Sequence, residues 1–295
     1  MIEMKKDYWL ITTEHLKDRL WFKDEEDFKA GMNYVAVLAS TMQDIEILAF
    51  ILMSNHVHFV AGGFLKDIAE FTDHFKLLYS KYFTHRYSKK ELLRNNKVDF
   101  QELAWGDESV ERAIAYVQMN SVAANLCLQP SGYPWGTGNC FFNKTSLKGL
   151  PIGSFAMRQQ RRILHSKTVL PPNYILDQRG FISPESYVNI KLVEHIFRSP
   201  NRMSFFLQNS SKVKKSSGMA APTFSDQIVF SAMLNLCTSV FHKPSLKELE
   251  HKQLAELLNQ LRYRFSADSK QLSRVTGIEQ ETVLMLLDSF FSKHV

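Results

Sequence analysis

The sequence predicts an α+β fold with an antiparallel sheet, followed by a mostly α-helical C-terminal extension. In residues 1–143, apolar segments typical of strands alternate with amphipathic segments typical of helices. Two of the apolar segments are separated only by Ser54-Asn55, a pair that favours a tight turn and so predicts a hairpin. From Phe224 onwards, the apolar residues follow helical spacing alone.

The elements of the first part follow from spacing and from the residues at their ends. An acidic run begins at Asp24 and complements the dipole of the helix that it opens. The segment after the second helix is polar and predicts a loop. We therefore expect strands at 7–16, 44–53 and 56–63, and helices at 24–42, 68–88 and 107–126.

The chain of 295 residues is long enough for more than one domain. A Gly- and Pro-rich stretch at 129–140 ends the first part, and a Ser- and Lys-rich stretch at 209–223 predicts a linker. We therefore predict an α+β domain at 1–143, a connector with short helices at 144–220 and a helical domain at 221–295.

Composition excludes several classes of protein. A hydrophobic content of 45% is incompatible with global disorder. The start of the chain does not resemble a signal peptide. The longest apolar run, 45–53, is far shorter than the roughly 20 residues of a membrane helix. Three cysteines, an odd number without metal-ligand spacing, fit a reducing compartment. We expect a cytoplasmic protein without a membrane partner.

Positive charge is concentrated in the middle of the chain. Residues 144–220 contain 13 Lys and Arg against 3 Asp and Glu, whereas the net charge of the whole chain is only +6. Such clustering is typical of nucleic-acid binding, and the alternative is a solvated basic connector. The candidate nucleic-acid-binding residues are Arg158, Arg161, Arg162 and Lys167.

His56 and His58 stand two residues apart on the predicted returning strand. Side chains at i and i+2 of a strand share a face, and these two are roughly 7 Å apart along it, so both imidazoles can bind one metal ion. The alternative is two incidental histidines that bind backbone carbonyls. A metal site also needs a third ligand, and for a structural zinc site this would be a Cys or a further His, for which His74 and His85 on the following predicted helix are the candidates.

Tyr116 and Asn120 lie four residues apart on a predicted helix and so share a face. The carboxamide oxygen of Asn120 suits Mg²⁺ or Mn²⁺ and could complete the ligand set. The phenol of Tyr116 could attack a phosphodiester and form a covalent phosphotyrosine. The alternative for Tyr116 is a core aromatic residue.

Several stretches, in this order, resemble the motifs of one family. These are "ITTEHLKDRLWFKDEEDF" (11–28), "LMSNHVHFV" (52–60), "YVQMNSVAANL" (116–126) and "SGYPWGTG" (131–138). The first stretch corresponds to the segment that the family has between its first strand and its first helix. The other three correspond, in the same order, to the family motifs L-M-P-N-H-V-H-L-L, Y-I-x-x-N-P-V-x-A-G-L and Y-P-W-S-S. The family is the single-tyrosine HUH transposases, in particular the REP-associated tyrosine transposases. The resemblance covers residues 5–142.

The resemblance implies a ferredoxin-like HUH nuclease core in residues 1–143. It implies that His56 and His58 bind a divalent metal, Mg²⁺ or Mn²⁺, with Asn120 beside it, and that Tyr116 is the nucleophile. The implied substrate is single-stranded DNA with a hairpin, and the implied reaction is cleavage and rejoining through a 5′-phosphotyrosine with a free 3′-hydroxyl. We expect a monomer or a homodimer.

The sequence departs from the family pattern in three places. Ser54 and Ser121 each replace a proline, and the stretch G-x-L-W-Q-x-R-Y has no counterpart in residues 92–105. That stretch contributes basic and aromatic contacts near DNA in the family. A rival interpretation is therefore a non-catalytic, hairpin-binding regulatory protein that keeps the fold. A structural zinc site is a second rival.

Residues 266–290, near the end of the chain, resemble a helix-turn-helix. Leu272, Val283 and Leu286 have the spacing that packs two short helices across a turn at Gly277-Ile278. Carboxylates at the start of the second helix, including Glu279, would repel phosphate. The alternative to DNA binding is a small helical bundle that caps the protein.

Overall fold

The computed structural model describes residues 7–88, 92–93, 95–143, 148–212 and 224–291, with side chains up to 288. The chain forms two compact units. The first unit consists of residues 1–14, 26–53 and 57–219, and the second of residues 15–25, 54–56 and 220–295. Most of the predicted linker, residues 213–223, lies outside the described residues. The predicted boundaries at 143 and 220 stay predictions.

The main sheet has four strands, β1 (Asp7–Thr13), β2 (Glu46–Met53), β3 (His56–Gly63) and β4 (Val98–Leu103). Their order in the sheet is β2-β3-β1-β4. Its first strand, β1, is antiparallel to both of its neighbours, so that Thr12 lies opposite His58 of β3 and Asp99 of β4. Almost every residue of β2 and β3 is buried.

Three helices follow the strands of this sheet along the chain. They are α1 (Glu25–Thr41), α2 (Leu65–Tyr87) and α3 (Ser109–Ala123), and α3 packs on β2. The aromatic ring of Phe59 on β3 makes edge contacts with Phe71 and Phe75 of α2, at centroid distances of 5.3 and 5.7 Å. The prediction of a mixed α and β fold with an antiparallel sheet is confirmed.

The fourth strand lies where the sequence predicted a polar loop. β4 has the sequence VDFQEL, and only its last residue is buried. Its apolar–polar alternation extends only over residues 98–101 and its acidic side chains are exposed, so spacing alone does not distinguish it from a polar loop. β1 also ends at Thr13, three residues before its predicted end, and the chain that follows contributes to the second unit.

The opposite edge of the sheet, at β2, is covered by residues 133–137. Leu52 N donates to Trp135 O at 2.8 Å, and the Tyr133 hydroxyl donates to Leu52 O at 2.9 Å. Thr137 N donates to Phe50 O at 3.0 Å. A Cβ atom at Gly136 would lie 2.5 Å from Phe50 O, so this close approach requires glycine. Residues 133–137, "YPWGT", therefore form hydrogen bonds with the backbone amides and carbonyls at the edge of β2.

The basic segment, residues 144–220, carries the excess positive charge, and the part of it that the structure describes packs on α1. Ile152, Leu164, Leu170 and Ile182 form a buried cluster with Ala36 and Val37 of that helix. The side chain of buried Asn33 donates to Ile163 O and accepts from Ile182 N, both at 2.9 Å. This part of the first unit contains β5 (Gly149–Pro151), β6 (Ile175–Asp177), α4 (Met157–Leu164), α5 (Ile190–Phe197) and α6 (Pro200–Gln208).

The C-terminal part of the second unit is helical, as predicted. Leu272, Val283 and Leu286 are all buried in one apolar cluster, and the turn between their helices contains Gly277 at φ 74°. The helices are α7 (Asp226–Ser239), α8 (His251–Phe265), α9 (Ser269–Thr276) and α10 (Gln280–Phe291). No helix among the described residues has the length and apolar character needed to cross a membrane.

Candidate active site

Three histidines lie close enough together to hold a metal ion. His56 and His58 are the first and third residues of β3, and His15 follows β1 by two residues. One ring nitrogen of each lies within 4.8 Å of the others. His56 is 5% exposed and His58 is fully buried, whereas His15 is exposed. This geometry agrees with two imidazoles on one strand face and adds a third.

His15 was not predicted from the sequence. Its ring stacks on that of His56, with centroids 3.6 Å apart and planes within 12° of each other. The sequence pointed to His74 and His85 only as candidate ligands of the rival zinc site. Because β1 runs antiparallel beside β3, the chain that leaves β1 passes the beginning of β3. The strand order is the information that would have revealed His15.

Asn55 fixes the orientation of the His56 ring. The Asn55 Nδ2 donates to Leu16 O at 2.8 Å, so Asn55 Oδ1 is the acceptor for His56 Nδ1, also at 2.8 Å. The proton of His56 therefore lies on Nδ1, and Nε2 carries the lone pair that a metal would take. Leu16 N in turn donates to Asn55 O at 3.0 Å, which holds the neighbour of His15 in place.

The His58 ring is oriented from β1. Its Nδ1 lies 3.0 Å from the hydroxyl oxygen of Thr12, the residue directly opposite on the neighbouring strand. Since that hydrogen bond uses Nδ1, Nε2 is the nitrogen that a metal would take. His56 and His58 would thus both bind a metal through Nε2.

Tyr116 lies on α3 with its ring against His58. The ring centroids are 5.5 Å apart, and the planes meet at 84°, an edge-to-face contact. Burial raises the pKa of Tyr116, so its hydroxyl is protonated at neutral pH. The ammonium of Lys212, at the end of the basic segment, lies 4.7 Å from the centroid of the Tyr116 ring. A half-buried phenol ring thus lies close to both an imidazole and a cation.

Asn120 is buried one helical turn after Tyr116. Its Nδ2 donates to Tyr116 O at 2.8 Å and to Val117 O at 3.3 Å, so the amide nitrogen is used inside α3. Its Oδ1 is the atom that could bind a cation. The assignment of Asn120 as a ligand stays a prediction.

Comparisons with known proteins add one distant similarity. No family model and no curated protein matches the chain. A solved structure of a REP-associated tyrosine transposase bound to a REP hairpin is 17% identical, covers 45% of this chain and 78% of its own, and has a TM-score of 0.32. A similarity of this size does not establish a family.

The four predicted nucleic-acid-binding residues are exposed. Arg158, Arg161 and Arg162 lie on α4, whose buried residues Gln160 and Leu164 face the protein. Lys167 follows three residues after this helix. None of the four forms an ion pair with another described residue. Their positive charge is accessible, and their contact with nucleic acid stays a prediction.

Proposed function

We propose that the chain cleaves and rejoins single-stranded DNA beside a hairpin, with Tyr116 as the nucleophile. The observation that carries this proposal is the ring of Tyr116 lying against His58 of a three-histidine group. The β-α-β-β-α-β order and the strand order β2-β3-β1-β4 support a ferredoxin-like core. The motifs in residues 5–142 support the same assignment.

The donor atoms fit a divalent transition metal. His15, His56 and His58 would hold it through imidazole nitrogens, and Asn120 could add an oxygen. Imidazole ligands favour transition metals, Zn²⁺ among them, whereas Mg²⁺ prefers oxygen, so of the two ions predicted from the sequence the set favours Mn²⁺. When bound, the metal would supply Lewis-acid polarisation of a phosphoryl oxygen.

Tyr116 would supply the attacking atom. Its oxygen forms a bond to phosphorus while the bond from phosphorus to the 3′-oxygen breaks, which gives a 5′-phosphotyrosine and a free 3′-hydroxyl. The phenol proton must leave during attack, because burial keeps the hydroxyl protonated. Attack of the 3′-hydroxyl on the phosphotyrosine reverses the reaction and rejoins DNA.

End-labelled DNA tests this reaction. We expect single-stranded hairpin oligonucleotides incubated with the protein and Mn²⁺ to give a covalent adduct on a denaturing gel. A label at the 3′ end stays on the protein, whereas a label at the 5′ end leaves with the free 3′-hydroxyl fragment. Chelation of Mn²⁺ should prevent both products. Hairpin binding without any adduct would instead establish the non-catalytic, regulatory alternative.

The exposed arginines of α4 should bind the phosphate backbone. We expect the Arg161→Ala, Arg162→Ala double variant to flatten the log–log dependence of single-strand affinity on salt by about 0.7 for each phosphate that is no longer neutralised. The matched control replaces Arg262 and Arg264, an exposed pair on α8, with Ala. Fluorescence anisotropy at several salt concentrations measures both slopes. Equal slopes for wild type and the α4 variant would refute DNA binding by these arginines.

A further inference from the structure

The turn before the strand histidines is tied to the C-terminal helices. The hydroxyl of Ser54 donates to Asp226 Oδ2 at 2.6 Å, and Asp226 is the first residue of α7. Asp226 is only 5% exposed. This contact joins two residues that are 172 positions apart and that belong to the same compact unit.

Asp226 itself is held rigidly by α9. Arg274 donates to both of its carboxylate oxygens, from Nε at 3.0 Å and from a second guanidinium nitrogen at 3.1 Å. Gln271 Nε2 donates to Asp226 Oδ1 at 2.9 Å. A bidentate guanidinium and an amide satisfy and neutralise the buried carboxylate, so its position is fixed.

The backbone of the same turn has further partners in this unit. Ser54 O accepts from Trp21 N at 2.8 Å and from Phe22 N at 3.1 Å. Gln227 of α7 donates to Phe22 O at 2.9 Å. The segments that contain His15 and His56 are thus bound to each other and to α7.

We infer that Asp226 is a positioning residue for His15 and His56, the two members of the histidine group that belong to its own unit. It acts through Ser54. Ser54 is followed by Asn55, whose side chain orients the His56 ring. The same side chain donates to the backbone oxygen of Leu16, the residue after His15. The inference rests on the proposed function in that the histidines bind a metal. Ser54 stands where the motif that this stretch resembles has proline, and proline has no hydroxyl to donate to Asp226.

Metal affinity tests this inference. We expect Ser54→Ala to weaken Mn²⁺ binding about tenfold or more, since residues that orient metal ligands typically have effects of this size. Ser54→Thr keeps a hydroxyl and should restore most of the affinity. The control is Thr238→Ala, which removes an exposed hydroxyl near the other end of α7 and leaves Ser54 and Asp226 untouched. It should leave Mn²⁺ affinity unchanged.

Isothermal titration calorimetry on the chelator-treated full chain measures the affinities, and thermal unfolding in chelator measures stability. Wild-type affinity in Ser54→Ala, or a wild type that binds no Mn²⁺, would overturn the inference. DNA is absent from this experiment, so its outcome is separate from that of the cleavage assay. Weakened Mn²⁺ binding in Ser54→Ala together with a wild type that forms no adduct would refute the proposed cleavage alone.

Discussion

Replacing Tyr116 with Phe should eliminate the covalent DNA adduct while hairpin binding survives. Phe keeps the edge contact with the His58 ring and removes only the hydroxyl, so packing is preserved and the nucleophile is removed. We expect adduct formation to fall by about 10³-fold or more, in line with removal of a nucleophile. The adduct is measured on denaturing gels, and hairpin binding is measured by anisotropy.

Mass spectrometry of the wild-type adduct provides the control for this assignment. Tyr79 and Tyr82 of α2 are buried in the core, and the Tyr87 hydroxyl donates to Asp27 at 3.0 Å. These three phenols have structural roles, so the nucleotide should be found on Tyr116. A nucleotide on Tyr79, Tyr82 or Tyr87, or an unchanged adduct yield in Tyr116→Phe, would show that Tyr116 is a core residue only.

Replacing His56 with Ala should abolish metal-dependent cleavage. The hydrogen bond at Nδ1 makes Nε2 of His56 the atom that a metal would take, and removing one of three imidazoles should lower Mn²⁺ affinity by about 100-fold or more. The matched control is His74→Ala, an exposed histidine on α2 outside the group. It should leave Mn²⁺ affinity and cleavage unchanged.

Calorimetry, cleavage assays and circular dichroism together check the His56 prediction. We expect circular dichroism of His56→Ala to stay close to that of wild type, because a site of this kind serves catalysis rather than folding. Wild-type cleavage by His56→Ala would exclude the histidine group as the metal site. Loss of the folded spectrum would instead support a structural metal site, the second rival interpretation of the sequence.

Local sequence signals were sufficient for most elements and insufficient for the site. Helical spacing predicted α1 to α3, and two apolar segments separated by a turn pair predicted the β2–β3 hairpin, because both signals depend on residues that are neighbours in the sequence. β4 was not predicted, because it is an exposed edge strand in which only Leu103 is buried. Its charged pattern resembles that of a loop.

Neither His15 as a member of the histidine group nor the Ser54–Asp226 contact was predicted from the sequence, and the reason is different. His15 approaches His56 only because β1 pairs with β3, and Asp226 approaches Ser54 only through the packing of distant helices. Neither depends on spacing within one element. The pair His56 and His58 could be found from the sequence because a strand places i and i+2 on one face.

The cover that residues 133–137 form over β2 has a consequence for assembly. An uncovered edge strand offers its amides and carbonyls to a strand of another molecule, and a continuous sheet across two copies can then form. At β2, Leu52 N and Phe50 O are already engaged by Trp135 and Thr137. If two copies of this chain associate, β2 is therefore not the edge through which their sheets would merge.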